Sequence, residues 1–184
     1  MRRHILLLFL LGCFLLVLSC SSKTVPTMAE VEYGYEPQAI QLHLRADRQL
    51  NLFQNNAHSL SLCVYQLVDP NGFNQRIGEE EGLYELLDCK RFDSSVATFK
   101  RLVIQPGEDV EKNLDRAEGA KYVAVVAGYF TLQKDRIYLL REIPVVVEKK
   151  GWIPFFRTDI HKLGTMKIDL LLGPQEIHEI GGKK

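Results

Sequence analysis

Ile40, Leu42 and Leu44 alternate with Gln41, His43 and Arg45, and Leu60, Leu62 and Val64 repeat the pattern twenty residues later. A period of two places all three apolar side chains of such a set on one face of an extended strand, whereas a helix scatters them around its axis. In the second set Cys63, Tyr65 and Leu67 make the opposite face apolar as well. Thr98 to Ile104, the β-branched run Lys121 to Phe130, Ile143 to Val147 and Met166 to Leu172 read as further strands. Asn51, Asn55 and Asn56 mark a turn-rich connection, Asp69-Pro70-Asn71-Gly72 stops the second strand, and Pro106-Gly107-Glu108 ends the third. Glu79 to Cys89 carries Leu83, Leu86 and Leu87 at helical spacing, with Glu79, Glu80 and Glu81 in a first turn where the helix dipole favours acids. Asp109 to Glu118 fits a helix through Val110, Leu114 and Ala117 and an extended link through its short spacing, so both stay open. Short strands with turn signals between them and one helical excursion predict an all-β fold, a two-sheet antiparallel β-sandwich with a short inserted helical segment. There are no internal repeats.

The first twenty residues do not belong to that fold. Arg2 and Arg3 precede Ile5 to Leu18, an uncharged stretch, and Ser19 and Cys20 follow. A basic start, a short apolar core and a small residue are the marks of an export signal. At 1.5 Å per residue the stretch falls short of the roughly 20 residues needed to span a bilayer. Leu16-Val17-Leu18-Ser19-Cys20 resembles a bacterial lipobox, in which the cysteine is diacylated, the signal is cut before it and the new amine is acylated. Leu10-Leu11-Gly12-Cys13 competes, but cutting there leaves Phe14 to Leu18 exposed on the mature end. Cys20 is therefore the lipidation site. Residues 1–19 read as the lipoprotein signal peptide, 20–37 as a lipidated N-terminus and flexible tether, and 38–184 as the sandwich domain. Ser21 after the cysteine, by resemblance to the sorting rule of Gram-negative lipoproteins, implies the outer membrane and a domain facing the periplasm.

The rest of the chemistry is sparse. Lys+Arg and Asp+Glu both number 23, so losing Arg2 and Arg3 leaves a slightly acidic body. Such a balance offers nucleic acid no cationic footprint. No glycine-rich phosphate loop, nucleophile elbow or paired CxxC occurs, and no nucleophile, base and orienting group assemble into an enzyme. His43, His58 and His161 are dispersed and read as surface or satisfied histidines, so no metal and no cofactor are expected beyond the covalent lipid. Cys63 and Cys89 form a candidate disulfide in an oxidising compartment; a pair of buried thiols is the other reading.

The lipobox, Leu50-Asn51, Val64-Tyr65-Gln66-Leu67, Phe73, Pro106-Gly107-Glu108 and Tyr122-Val123-Ala124-Val125-Val126-Ala127 together resemble the outer-membrane lipoprotein family of the type VI secretion system, often called TssJ. The resemblance spans most of the mature chain. It implies a transthyretin-like sandwich and an anchoring role without catalysis. The implied partner is the periplasmic C-terminal part of the inner-membrane component TssM, with no small-molecule substrate. It also implies that the connection between the first two strands, Leu52, Phe53, Gln54, Asn55, Asn56, Ala57 and His58, contacts that partner. Independently, Phe53 follows Leu52 and breaks the alternation of Leu50 and Leu52, so the two cannot both be buried by one face. Either Phe53 caps the end of the core or it stands out as an aromatic anchor; the resemblance favours the anchor. A periplasmic carrier of small hydrophobic ligands is the alternative function and requires a cavity between the sheets.

Overall fold

The computed structural model describes residues 31–150 and 158–181; the signal peptide, Cys13, Cys20 and the tether as far as residue 30 lie outside the described residues. Ten strands form two four-stranded sheets and a separate hairpin. In the first sheet β1 (Glu36–Ala46) lies between β4 (Asp109–Arg116) and β9 (Met166–Leu172), and β10 (Ile177–Glu179) closes the far edge. In the second, β2 (Leu60–Leu67) lies between β3 (Val96–Ile104) and β5 (Tyr122–Ala127), which pairs with β6 (Tyr138–Glu142). Two helices, α1 (Asn71–Gly78) and α2 (Glu80–Leu87), are inserted between β2 and β3. The expected sandwich is thus present with one amendment to its antiparallel pairing, since β1 and β9 run parallel from Ile40↔Met166 to Ala46↔Leu172. Alternation reports which face a residue occupies and carries no information about a neighbour's direction.

The core lies between the sheets. Ile40, Leu42 and Leu44 of β1 and Met166, Ile168, Leu170 and Leu172 of β9 are buried, as are Leu60, Leu62, Val64, Val123 and Val125 of the second sheet. β2 is apolar on both faces because the second sheet is covered on both. On its outer face Tyr65 donates to the Leu86 carbonyl of α2 at 2.7 Å and meets Phe73 of α1 edge-on. Burial raises the Tyr65 phenol to about 12. Burying each of these side chains contributes about 2 kcal/mol. Gly82 allows the two helices to meet, since a Cβ there would lie 2.6 Å from the Arg76 backbone.

The sequence reading misses α1. Asp69-Pro70-Asn71-Gly72 looks like a stop, yet it opens a helix whose Phe73 and Ile77, four residues apart, are buried. Two glycines in eight residues hide that spacing. Asp109 to Arg116 is settled as a strand: Leu114 faces Ile40 and Val110 faces Leu44, while Lys112 between them obscures the alternation. The stretch Ile143 to Val147 is interrupted at Pro144, so that β7 (Val145–Lys150) starts a hairpin with β8 (Thr158–Leu163). Strands β6, β8 and β10 carry no strong sequence signal.

The folded body also starts earlier than composition suggests. Tyr33 to Pro37 read as tether, but the Gly119 amide donates to the Tyr33 carbonyl at 2.6 Å and Tyr35 donates to Asp115 at 2.8 Å. Buried Arg116 donates to the Gly34 carbonyl and to Glu36. These partners lie some eighty residues away along the chain, beyond the reach of any local pattern.

Candidate functional site

The β1–β2 connection sits at the end of the sandwich where β1 finishes, opposite the end where the chain enters. Leu50 is fully buried and fixes its base. Asn51, also buried, has a positive φ of 47° that asparagine tolerates well. The Asn51 side chain donates to the Ser59 carbonyl at 3.0 Å and accepts from the Phe130 amide at 2.9 Å. Leu52 donates to the Pro174 carbonyl and His58 to the Leu50 carbonyl, so both ends of the loop are held. Between them Phe53 and Asn56 exchange two backbone hydrogen bonds of 2.9 Å around Gln54 and Asn55, whose φ values are 49° and 62°. Two successive positive φ values make a type I′ turn, a tight and self-supporting shape. Gln54, Asn55, Asn56 and Ala57 are exposed, while Leu52 and His58 are half-buried.

Phe53 does not cap the core. It is 43% exposed and stacks on Phe130 with ring centroids 4.7 Å apart. His58 meets the same ring edge-on at 4.8 Å. Phe130 itself is 55% exposed and is held from below. Gly128 donates to the Ser61 carbonyl, and buried Tyr129 donates its hydroxyl to the Glu176 carbonyl at 2.8 Å; burial pushes that hydroxyl strongly up. The loop and the β5–β6 connection therefore form one rigid aromatic surface. Beside it lies a depression of about 400 Å³ lined by Val103, Ser59, Ser61, Gly128 and Phe130, among others.

The sequence reading assigns Phe130 to a strand and so misses it. The available signal is Gly128, which ends the β-branched run and leaves the next two aromatics in a loop. Cys63 and Cys89 are joined in a disulfide with Cα atoms 5.4 Å apart. It fastens α2 to β2, away from the loop. His43 lies on the outer face of the first sheet between Asp109 at 2.7 Å and Asp169 at 2.9 Å; Asp109 first and Asp169 second raise its pKa. It is a satisfied surface histidine. Among the described residues no group of three or more His, Cys, Asp or Glu could hold a metal ion, and no helix is long and apolar enough to cross a membrane.

Comparison with known proteins places this surface in context. No curated protein sequence matches the chain significantly. Among solved structures, the T6SS lipoprotein TssJ1 from Pseudomonas aeruginosa is 19% identical, with a TM-score of 0.55 over 82% of this chain and 98% of that one. Serratia marcescens Lip, described as a membrane bound component of the Type VI Secretion System, is 17% identical, with a TM-score of 0.55 over 78% of this chain and 98% of its own. A chain in the structure described as the T6SS protein TssM C-terminal domain (869-1107) from EAEC is 14% identical, with a TM-score of 0.56 over 78% of this chain and 98% of that chain. These similarities show the fold. Residues 38–170 match the profile of the type VI secretion lipoproteins (VasD, EvfM, TssJ), which is most of the chain, and the protein belongs to that family.

Proposed function

We propose that the protein is an outer-membrane lipoprotein, lipidated at Cys20, whose periplasmic domain binds the C-terminal part of a TssM-like inner-membrane component through Leu52 to His58 and so anchors the type VI secretion membrane complex. The observation that carries this reading is the position of the loop. The chain enters the domain at Tyr33 to Glu36, and the loop lies at the other end of β1, eleven residues and about 35 Å away. Several acyl chains, at about 0.8 kcal/mol per buried CH₂, hold Cys20 in the membrane. A domain hung this way turns its aromatic end from the outer membrane toward the inner one.

The comparisons support the partner in two ways. The family is one of secretion lipoproteins, and the chain matched in the TssM C-terminal structure is covered to 98% by 78% of this chain. That matched chain is shorter than the present one, whereas 869–1107 spans more residues than the present one has. This is the length relation expected if the matched chain is a lipoprotein held beside the named domain. The carrier alternative has no comparable support, because among the described residues the space between the sheets is occupied by core side chains.

Replacing Gln54 to His58 with a Gly/Ser linker tests the interface. We expect binding to the purified periplasmic domain of the cognate TssM-like protein to be abolished with the unfolding midpoint nearly unchanged; unchanged affinity sinks the assignment. Cys20→Ser tests the anchor, and we expect a folded, soluble periplasmic protein with secretion lost. Outer-membrane fractionation of that variant as before would refute lipid anchoring at this site.

A further inference from the structure

The loop covers only part of the exposed apolar surface at this end. Val103, on edge strand β3, is 56% exposed and faces the same depression as Phe130. With Phe53 stacked on Phe130, these three side chains bring exposed apolar surface from three separate connections or strands to one end of the domain. Ser59 and Ser61 supply hydroxyls at the margin of the depression, Asn51 and His58 also line it, and none of its lining residues is a Lys, Arg, Asp or Glu. That is selective in a chain in which 25% of residues are charged. Arg101, which pairs with Cys63 on the neighbouring strand, borders the depression at Ser61, and its guanidinium is engaged by the Leu87 and Asp88 carbonyls and the Ser61 hydroxyl. An apolar side chain seated in the depression would remove both its own surface and that of Val103 and Phe130 from water.

We propose that Phe130 and Val103 form a receiving pocket for one aromatic or branched aliphatic side chain of the same TssM-like domain, so that the partner grips the lipoprotein at two adjoining points: the crest of the β1–β2 turn and this depression. The inference rests on the reading that Leu52 to His58 binds that domain, because Asn51 ties the Phe130 amide to the base of the same loop and a body seated on Phe53 also meets Phe130. Phe130 is held by the ties of Gly128, Tyr129 and Asn51 and by the Phe53 and His58 rings, yet remains more than half exposed, which leaves part of its ring free for a ligand. An aromatic in a depression with a polar margin, which a seated partner would close off from water, is the composition of an interface hot spot.

Affinity for the purified periplasmic domain of the cognate TssM-like protein is measured by calorimetry for Phe130→Ala, Phe130→Tyr and Val103→Lys beside the Gly/Ser loop variant. Phe130→Ala and Val103→Lys should each weaken binding by at least about tenfold, with Phe130→Tyr close to the parent. Val103 makes no contact with the loop's hydrogen bonds, so its variant separates pocket occupancy from loop support. If Phe130→Ala weakens binding and Val103→Lys does not, Phe130 serves only to prop Phe53 and the pocket is overturned. If both bind as the parent does while the loop variant fails, the pocket is overturned and the loop reading stands. Normal binding by all three overturns both.

Discussion

The two ends of the sandwich are built around the same device and finished differently. At each, a buried side-chain amide is fully used: Gln66 donates to the Asp115 carbonyl and accepts from the Ala117 amide, both at 2.7 Å, and Asn51 bridges Ser59 and Phe130. Around Gln66 the polar groups close on one another. Arg116 meets Glu36 and Gly34, Asp115 meets Tyr35 and Gln38, and Lys121 lies over the Tyr33 ring. Around Asn51 the amide instead holds up aromatic rings that nothing in the described chain covers. One end turns most of its hydrogen bonds inward, with Arg116 Nη1 left unpartnered among the described residues, and the other spends its hydrogen bonds on presenting a surface. The first end receives the entering chain, whereas the second presents a shape held by side-chain and backbone hydrogen bonds.

The largest effect we expect tests whether the helical side is independent of both ends. Replacing Cys63 and Cys89 by Ser and Ala removes a crosslink with a sequence separation of 26, and the chain-entropy model sets the loss at about 3.5 kcal/mol. Chemical denaturation should show that loss with affinity per folded molecule unchanged. Thiol labelling of denatured, unreduced Cys20→Ser protein should find both cysteines blocked, and two free thiols would remove the bridge.

Next in size are the two amides. Gln66→Ala leaves two part-buried backbone groups without their side-chain partner and should cost about 1 to 2 kcal/mol without altering partner affinity. Asn51→Ala should cost a similar amount and weaken partner binding as well, because Phe130 and the loop lose their common tie. Equal affinities for the two variants would erase the distinction between the ends.

Acid should loosen the hydrogen bonds on Asp115 at the Gln66 end. The Gln38 amide, and secondarily the Tyr35 hydroxyl, lower the Asp115 pKa below its ordinary 3.8. A carboxylate depressed in the folded state stabilises it fully above the unfolded value and loses that contribution as pH falls through the folded one. Hydrogen exchange at the Gln38 amide should therefore speed up as pH drops below about 3.8 relative to intrinsic rates, and Asp115→Asn should abolish the trend. The Phe130 amide, bonded to a side chain that does not titrate, should stay flat. The smallest effect concerns the crest: Asn55→Gly suits the second position of a type I′ turn and should raise stability by a few tenths of a kcal/mol.

Much of this architecture is legible in the residues because burial has a period. Ile40-Leu42-Leu44 and Met166 to Leu172 announce a strand with one buried face, and Leu60 to Leu67, apolar on both, announces a sheet covered twice. Leu83 and Leu86 mark α2 for the same reason. Helix α1 escapes because Gly72 and Gly78 lower its propensity while tertiary contacts of Phe73 and Ile77 hold it. The loop is found through its turn formers and the family's motifs, whereas Phe130 and Val103 are invisible, each looking like one more strand residue.

By itself the sequence determined the β class, the apolar faces of the main strands and the place of a turn-rich connection, since each is written in local order and short-range spacing. Only the tertiary structure decided that β1 and β9 run side by side in parallel, that Tyr33 to Pro37 belong to the domain, and that Phe53, His58, Val103 and Phe130 share one exposed surface. Those pairings join residues as far as 126 positions apart, as with His43 and Asp169. They depend on how two sheets pack once their buried faces meet, a condition that no local spacing encodes.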